Sequence, residues 1–390
     1  MKGQIYPPEI VWQTDPATGV RVARVTSFRG NHNHLYFTNN SFYDGGRRFV
    51  IGGDRDNVTN FFSVNTEDFA ITQLTDLPPL PYGEDLKALE AVVDPVRNAC
   101  YFFYGRTLYR LDLMTLSMKA IYEAPEGFVH HVVSVPCDGE YVYTSIYEDL
   151  SARFRIDTQH GYVGFDDIFA AKPLSRILKI RADGSSSEVI REEQCWIAHV
   201  NISPTHPTRL TFCHEGPWNR VDHRIWAMDT ETGEVRKLRE TLPGEVIGHE
   251  YWFRDGERVG YHGTRPDGKA YLGYAYFDGS DGEETEFSYP ATHVFSVDES
   301  LVFGDGGPAV PYISVWQKGG ARYLPGRALC GHFSSFKDQN AHPHPAITPD
   351  GKYCLFTSDR SGYEQVYLAE IPEDISSLPL VEDLMKGKTR

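Results

Sequence analysis

The chain has 390 residues, 41% of them hydrophobic and 13% aromatic, enough for a large core. Its formal net charge of −16 with no compensating basic block excludes a nucleic acid or anionic membrane as partner. An anionic substrate would therefore have to find locally built positive charge. The 23 Tyr and 22 Phe favour strands over helices.

Residues 1–9 lack the apolar stretch of a secretory leader, and no run reaches the roughly 18 apolar residues of a membrane helix. A cytoplasmic protein is expected. The six cysteines are scattered without a Cys-x-x-Cys pair, several inside apolar runs, so buried free thiols are expected rather than disulfides or zinc ligands.

In chain order, two strands over 10–13 and 20–25 precede a loose repeat of about 40 to 50 residues. Each unit opens with a short apolar strand, turns at a Pro-Asp or Asp-Gly step and continues through β-rich strands. Units are marked at 42–53, 91–95, 133–139, 201–204, 251–256, 295–299 and 347–359. Their outer halves recur as hairpins at 108–116, 177–184 and 225–238. The last unit fades after 366–371, and the tail 373–386 is the one segment with helical periodicity.

Seven units with a spare N-terminal strand pair predict an all-β fold. It is a seven-bladed β-propeller closed by an N-terminal strand, spanning 1–390 as a single domain. Insertions in units three and five leave six or eight blades as alternatives.

His32 and His34, His131, His199, His249, His293 and the pair His342/His344 all stand at or just before the innermost strand of their unit. In a propeller these positions face the central channel, so residues remote in sequence converge. A single imidazole there could be a strand cap; six units repeating it point to a site. Side chains of His342 and His344 share one side of the backbone, because strands alternate with period two. With Gln339 just before and His293 one repeat earlier, three neutral imidazoles and an amide oxygen would hold a divalent metal without cancelling its charge.

Residues 212–226 place His214, Glu215, Asp222, His223 and Arg224 around a turn. Alternation allows Arg224 a channel-facing guanidinium able to grip a carboxylate bidentately. Glu215 and Asp222 read equally as turn caps or salt-bridge partners of Arg220 or Arg224. His199, His214 and Glu215 are candidate substrate contacts, whereas Trp218 and Trp252 read as core rather than sugar-stacking residues. No nucleophile elbow, phosphate loop or metalloprotease helix is present.

Cys213-His214-Glu215-Gly216-Pro217 with Asp222 and Arg224, His249-Glu250 with Trp252, His293 with Asp305, and Gln339-x-x-His342-Pro343-His344 together resemble oligogalacturonate lyase, polysaccharide lyase family 22. The resemblance implies a seven-bladed propeller that cleaves short uronate-containing oligosaccharides by β-elimination to 4,5-unsaturated products. It implies a divalent metal, manganese, on His293, Gln339, His342 and His344. It also implies His249 as the Brønsted base and Arg224 as the assisting arginine. The chain departs at Asn33 and around 38–40, where basic residues are expected. Two alternatives are the same chemistry on another uronate glycan, and a non-catalytic propeller that binds sugar or protein.

Overall fold

The computed structural model describes residues 1–81, 84–280, 282–288 and 291–386. Among these, the strands form seven antiparallel sheets in sequence order around an axis, with the last sheet joined to the N-terminus. The expected ring of seven blades is the observed one.

Blade 1 runs outward from His32–His34 through Arg48–Arg55, Val58–Asn65 and Ile71–Gln73, and Ile5–Tyr6 extends its outer edge. The innermost strands of blades 2 to 6 are Val92–Asp94, Phe128–Ser134, Ile197–Ile202, Val246–Trp252 and Val294–Ser296. Blade 7 begins with Ala346–Ile347, Tyr353–Ser358 and Gln365–Glu370, and is completed by Arg21–Arg24 and Val11–Thr14. Val22 pairs with Ala369 and Arg24 with Tyr367, so the two ends of the chain close the ring. Closure removes the sheet edge that an open array would expose.

Period-two alternation explains why both faces of each blade are apolar. In Ala99–Tyr104, Cys100 and Phe102 pack toward blade 1 while Tyr101 and Phe103 pack toward blade 3. In blade 7, Phe356 and Tyr367 face blade 6, whereas Leu355 and Leu368 face blade 1. Seven hydrophobic clusters thus seal the seven blade junctions, leaving the axis to polar side chains.

Two expectations about helices are corrected. The helical tail is only Val381–Lys386, preceded by a 3-10 turn at Ile375–Ser377. A second helix, Phe165–Ala171, lies in an insertion between two strands of blade 3 and was not anticipated. None is long and apolar enough to cross a membrane. All six cysteines are free; Cys100, Cys213, Cys330 and Cys354 are buried, Cys195 is half-buried and Cys137 is exposed.

Candidate active site

Three innermost strands carry a β-bulge where they reach the axis. The register slips between His130 and Val133, between Ala198 and Asn201, and between Gly248 and Tyr251. One extra residue per slip turns a side chain out of the sheet. His199 and His249 occupy these bulges with left-handed φ of 47° and 52°, and His344 adopts 47° in the loop entering blade 7. Non-glycine residues hold this conformation at a cost of order 1–3 kcal/mol, and such outliers cluster at functional sites.

A cavity of about 490 Å³ opens at this end of the axis, its wall including His131, His199, His249, His293, Glu215, Arg224 and Gln339. Its floor is Tyr36, whose ring contacts His199, His293 and His344 at centroid distances of 5.6, 6.2 and 4.9 Å. The next residue, Phe37, belongs to a second cavity on the far side of the ring. Tyr36 and Phe37 together plug the channel. Sequence reasoning missed them because neither is ionised and both lie beyond the strand that carries His34.

The ring nitrogens of His293, His342 and His344 approach within 4.8 Å of one another, all three residues being buried. Neither ring nitrogen of His344, nor Nδ1 of His342, has a hydrogen-bond partner. Buried polar atoms are almost always satisfied, so convergent orphaned nitrogens fit a cation. Burial also favours the neutral form that ligation requires: it pulls His342 to about 4 and His344 well below its usual value, with His293 adding to both. His293 Nδ1 lies 2.7 Å from Asp305 Oδ2, and Asp305 Oδ1 accepts the His293 backbone N–H at 2.9 Å. Asp305 therefore accepts the Nδ1–H bond and leaves the ring's lone pair on Nε2. His34 braces the third imidazole through the backbone: its Nε2 donates to the His344 carbonyl at 2.8 Å, and its Nδ1 meets Thr357 Oγ1 at 2.7 Å.

Gln339 reaches the same cavity, and its Nε2 donates to the Tyr162 hydroxyl at 2.7 Å. That bond commits the nitrogen side of the amide and leaves the oxygen side for a cation. Tyr162 comes from the blade-3 insertion, which arches across the mouth to blade 7; Gln159 O also accepts the Gln339 backbone N–H at 3.2 Å.

His249 Nδ1 lies 3.0 Å from Nε2 of His262, a residue that the positional rule passed over because it sits on the second strand of blade 5. His262 is itself hydrogen-bonded to the Thr292 backbone. A backbone carbonyl must receive a proton from His262, so the Nε2 facing His249 is an acceptor. His249 then donates from Nδ1 and keeps a lone pair on Nε2. Burial, then His293, His262, Arg224 and His199, hold its pKa well below the usual value.

Arg224 differs from expectation. Its guanidinium is 2% exposed, and its fork is taken: Nη1 bonds Glu215 Oε1 at 2.8 Å, Nη2 meets Oε2 at 3.4 Å, and Nε lies 3.5 Å from Glu250. A buried cation without partners is too costly, and two glutamates meet that need here. Trp218 covers the guanidinium at 5.1 Å and lines the cavity, correcting its expected core role. Trp252 does pack on Phe277, outside the cavity.

Of the other expected site residues, Glu215 pairs with His199 at 3.3 Å as well as with Arg224, and both line the cavity. His214 does not line it; the ring lies on Trp226 with Nε2 2.9 Å from Glu193. His32 is also turned away, packed between Phe28 and Phe62. Both follow from strand alternation, which sends neighbours of channel residues into a blade junction. Asp222 pairs with neither arginine, and Arg220 reaches Asp166 instead.

A family model described as oligogalacturonate lyase matches residues 2–322. An oligogalacturonide lyase of Pectobacterium atrosepticum is 27% identical, over 96% of this chain and 99% of its own. An oligogalacturonate lyase of Dickeya dadantii is 26% identical, over 93% and 96% respectively. A solved structure of oligogalacturonate lyase in complex with manganese superposes with a TM-score of 0.85 at 27% identity, covering 95% of this chain and 98% of that one.

Proposed function

We infer that this chain, which belongs to the oligogalacturonate lyase family, cleaves short oligogalacturonides by β-elimination with a divalent metal, manganese, as cofactor. The observation that carries the reading is the set of three buried imidazoles with converging nitrogens, with the His249 ring 4.4 Å from that of His293. We assign the metal to His293, His342 and His344, with the Gln339 amide oxygen as fourth ligand. Neutral donors leave the full double charge of the ion to act on the uronate carboxylate, making the adjacent C5 proton removable.

His249 takes that proton on Nε2. Its imidazole is kept neutral by burial and neighbouring cations, so the lone pair is available near neutral pH. The imidazolium formed keeps its Nδ1–H bond to His262, which fixes the ring through the step. Arg224, expected to grip the substrate, acts instead as a buried charge: with Glu215 and Glu250 against it, it orients the wall more than it supplies net positive potential. Among the substrate contacts, His199 and Glu215 are retained and His214 is withdrawn. Tyr36 excludes water from below.

The cytoplasm is the compartment we assign, supported by six unpaired cysteines. The direct test is absorbance of the 4,5-unsaturated product from short oligogalacturonides, with chelator and with manganese restored. Activity that persists in the chelated protein sinks the reading. Restored cleavage of a different uronate glycan alone would move the substrate and keep the chemistry.

A further inference from the structure

Behind the cavity wall, at the junction of blades 3 and 4, lies a second cluster of ligating atoms. Glu193 is the penultimate residue of the outer strand Ser187–Gln194, Cys195 leads into Ile197–Ile202, and His214 ends Arg209–His214. One atom from each, a carboxylate oxygen, a thiol sulfur and an imidazole nitrogen, lies within 4.8 Å of the others. All three residues are half-buried, so an ion has an entry path. Asp222 is close enough to act electrostatically on both Cys195 and His214.

We propose that Glu193, Cys195 and His214 form a second metal site, distinct from the axial imidazoles, that takes a thiophilic divalent cation of the zinc class. Three protein donors of mixed type are what four-coordinate zinc accepts, with Asp222 or water in the fourth position. The donor set also separates the two sites by metal. Thiolate selects zinc over manganese, whereas an all-imidazole and amide set has no soft donor. His214 Nε2 and Glu193 Oε2 are 2.9 Å apart, and an ion entering between them replaces one hydrogen bond with two coordinate bonds. Binding expels the Cys195 thiol proton to solvent, and the proton that His214 Nε2 donates to Glu193 moves to Nδ1 as Nε2 takes the ion.

Surrounding groups fix the donors. Arg191 pairs with Oε1 of Glu193, leaving Oε2 toward His214. The His214 ring is seated against Trp226 at 4.8 Å. The site also touches the cavity through the backbone. Cys195 precedes Trp196 and His214 precedes Glu215, both cavity-lining, and Glu215 N–H donates to Trp196 O at 2.8 Å. An ion here clamps the two segments that carry the wall.

Cobalt titration of the metal-stripped full chain tests the site, because a thiolate ligand gives a sulfur-to-metal charge-transfer band that imidazole ligands cannot. Cobalt in excess of both sites should produce that band, and zinc should abolish it. Cys195→Ser should lose it while still binding one equivalent of manganese at the axis, and His214→Ala should weaken it at least tenfold. No band in the native chain overturns the proposal. So does a band that survives in Cys195→Ser, which would place the thiolate elsewhere. None of these readouts depends on lyase activity.

Discussion

His249 Nδ1 and His262 Nε2 are 3.0 Å apart, and the Thr292 bond to His262 fixes which of them donates. The proposed base is thus set by its neighbour. His249→Ala should abolish unsaturated product with metal content unchanged by elemental analysis. His262→Leu removes only the acceptor for Nδ1–H. It should lower kcat on the order of 10²-fold while the metal stays bound. Loss of metal in either variant would mean that these residues shape the cation site instead.

Asp305 accepts from both the ring and the backbone of His293. Asp305→Asn keeps the volume and loses the charge that holds the ligating tautomer. Metal affinity, measured by competition with a chelator, should fall by about 10- to 100-fold. Unchanged affinity would remove His293 from the ligand set.

Gly248 is a position where one methyl group decides the outcome. A Cβ there would lie 2.7 Å from Trp218 Cζ2 and 2.9 Å from Arg224 Nε. Arg224 is held by the Glu215 and Glu250 pairs and Trp218 packs on Arg224 and His249, so they yield only by shifting the cavity wall. Gly248→Ala should lower kcat/KM by about 10²-fold with a much smaller change in melting temperature.

Tyr162 holds the amide of Gln339, the proposed fourth ligand. Tyr162→Phe frees the amide to rotate and should raise the manganese Kd roughly tenfold. At saturating metal, kcat should recover. Failure to recover would indicate that the hydroxyl meets the substrate.

Glu364 supplies a pH test away from the cavity. Burial pushes its carboxyl up to about 7, Asp338 and Asp359 reinforce the shift, and Lys337, 3.2 Å away, opposes it. The folded state therefore binds this proton more tightly than the unfolded chain, and stability falls as pH rises from about 4.5 toward 7. Glu364→Gln should be more stable than the native chain at pH 8, by up to roughly 3 kcal/mol, and no more stable near pH 4.5. Denaturant melts at the two pH values decide it.

The ring was legible because each blade is apolar on both faces, which leaves an unusual signature of short, fully hydrophobic strands between turns. The axial histidines were legible because propeller geometry converts a repeat position into a place in space. Residues outside that rule were not. His262 stands one strand further out, Tyr36 and Phe37 follow their strand rather than begin it, and Tyr162 belongs to an irregular insertion with no periodicity to read. Arg224 was placed at the cavity with Glu215 among its candidate partners, yet Glu250 could not be assigned. Glu215 is nine residues away and Glu250 lies in the next blade. Only the bulge at Gly248–Tyr251 brings Glu250 near it.

Strands from the two ends of the polypeptide share blade 7. A nascent chain emerging from the ribosome therefore holds Val11–Thr14 and Arg21–Arg24 without a sheet to join until residues 353–370 have been made. Because the loop entering blade 7 also delivers His342 and His344, the segment that lets the ring close is the one that completes the proposed cation pocket. Cation capture at the proposed site would thereby report that the circle is shut, and a chain stalled before that point would lack His342 and His344.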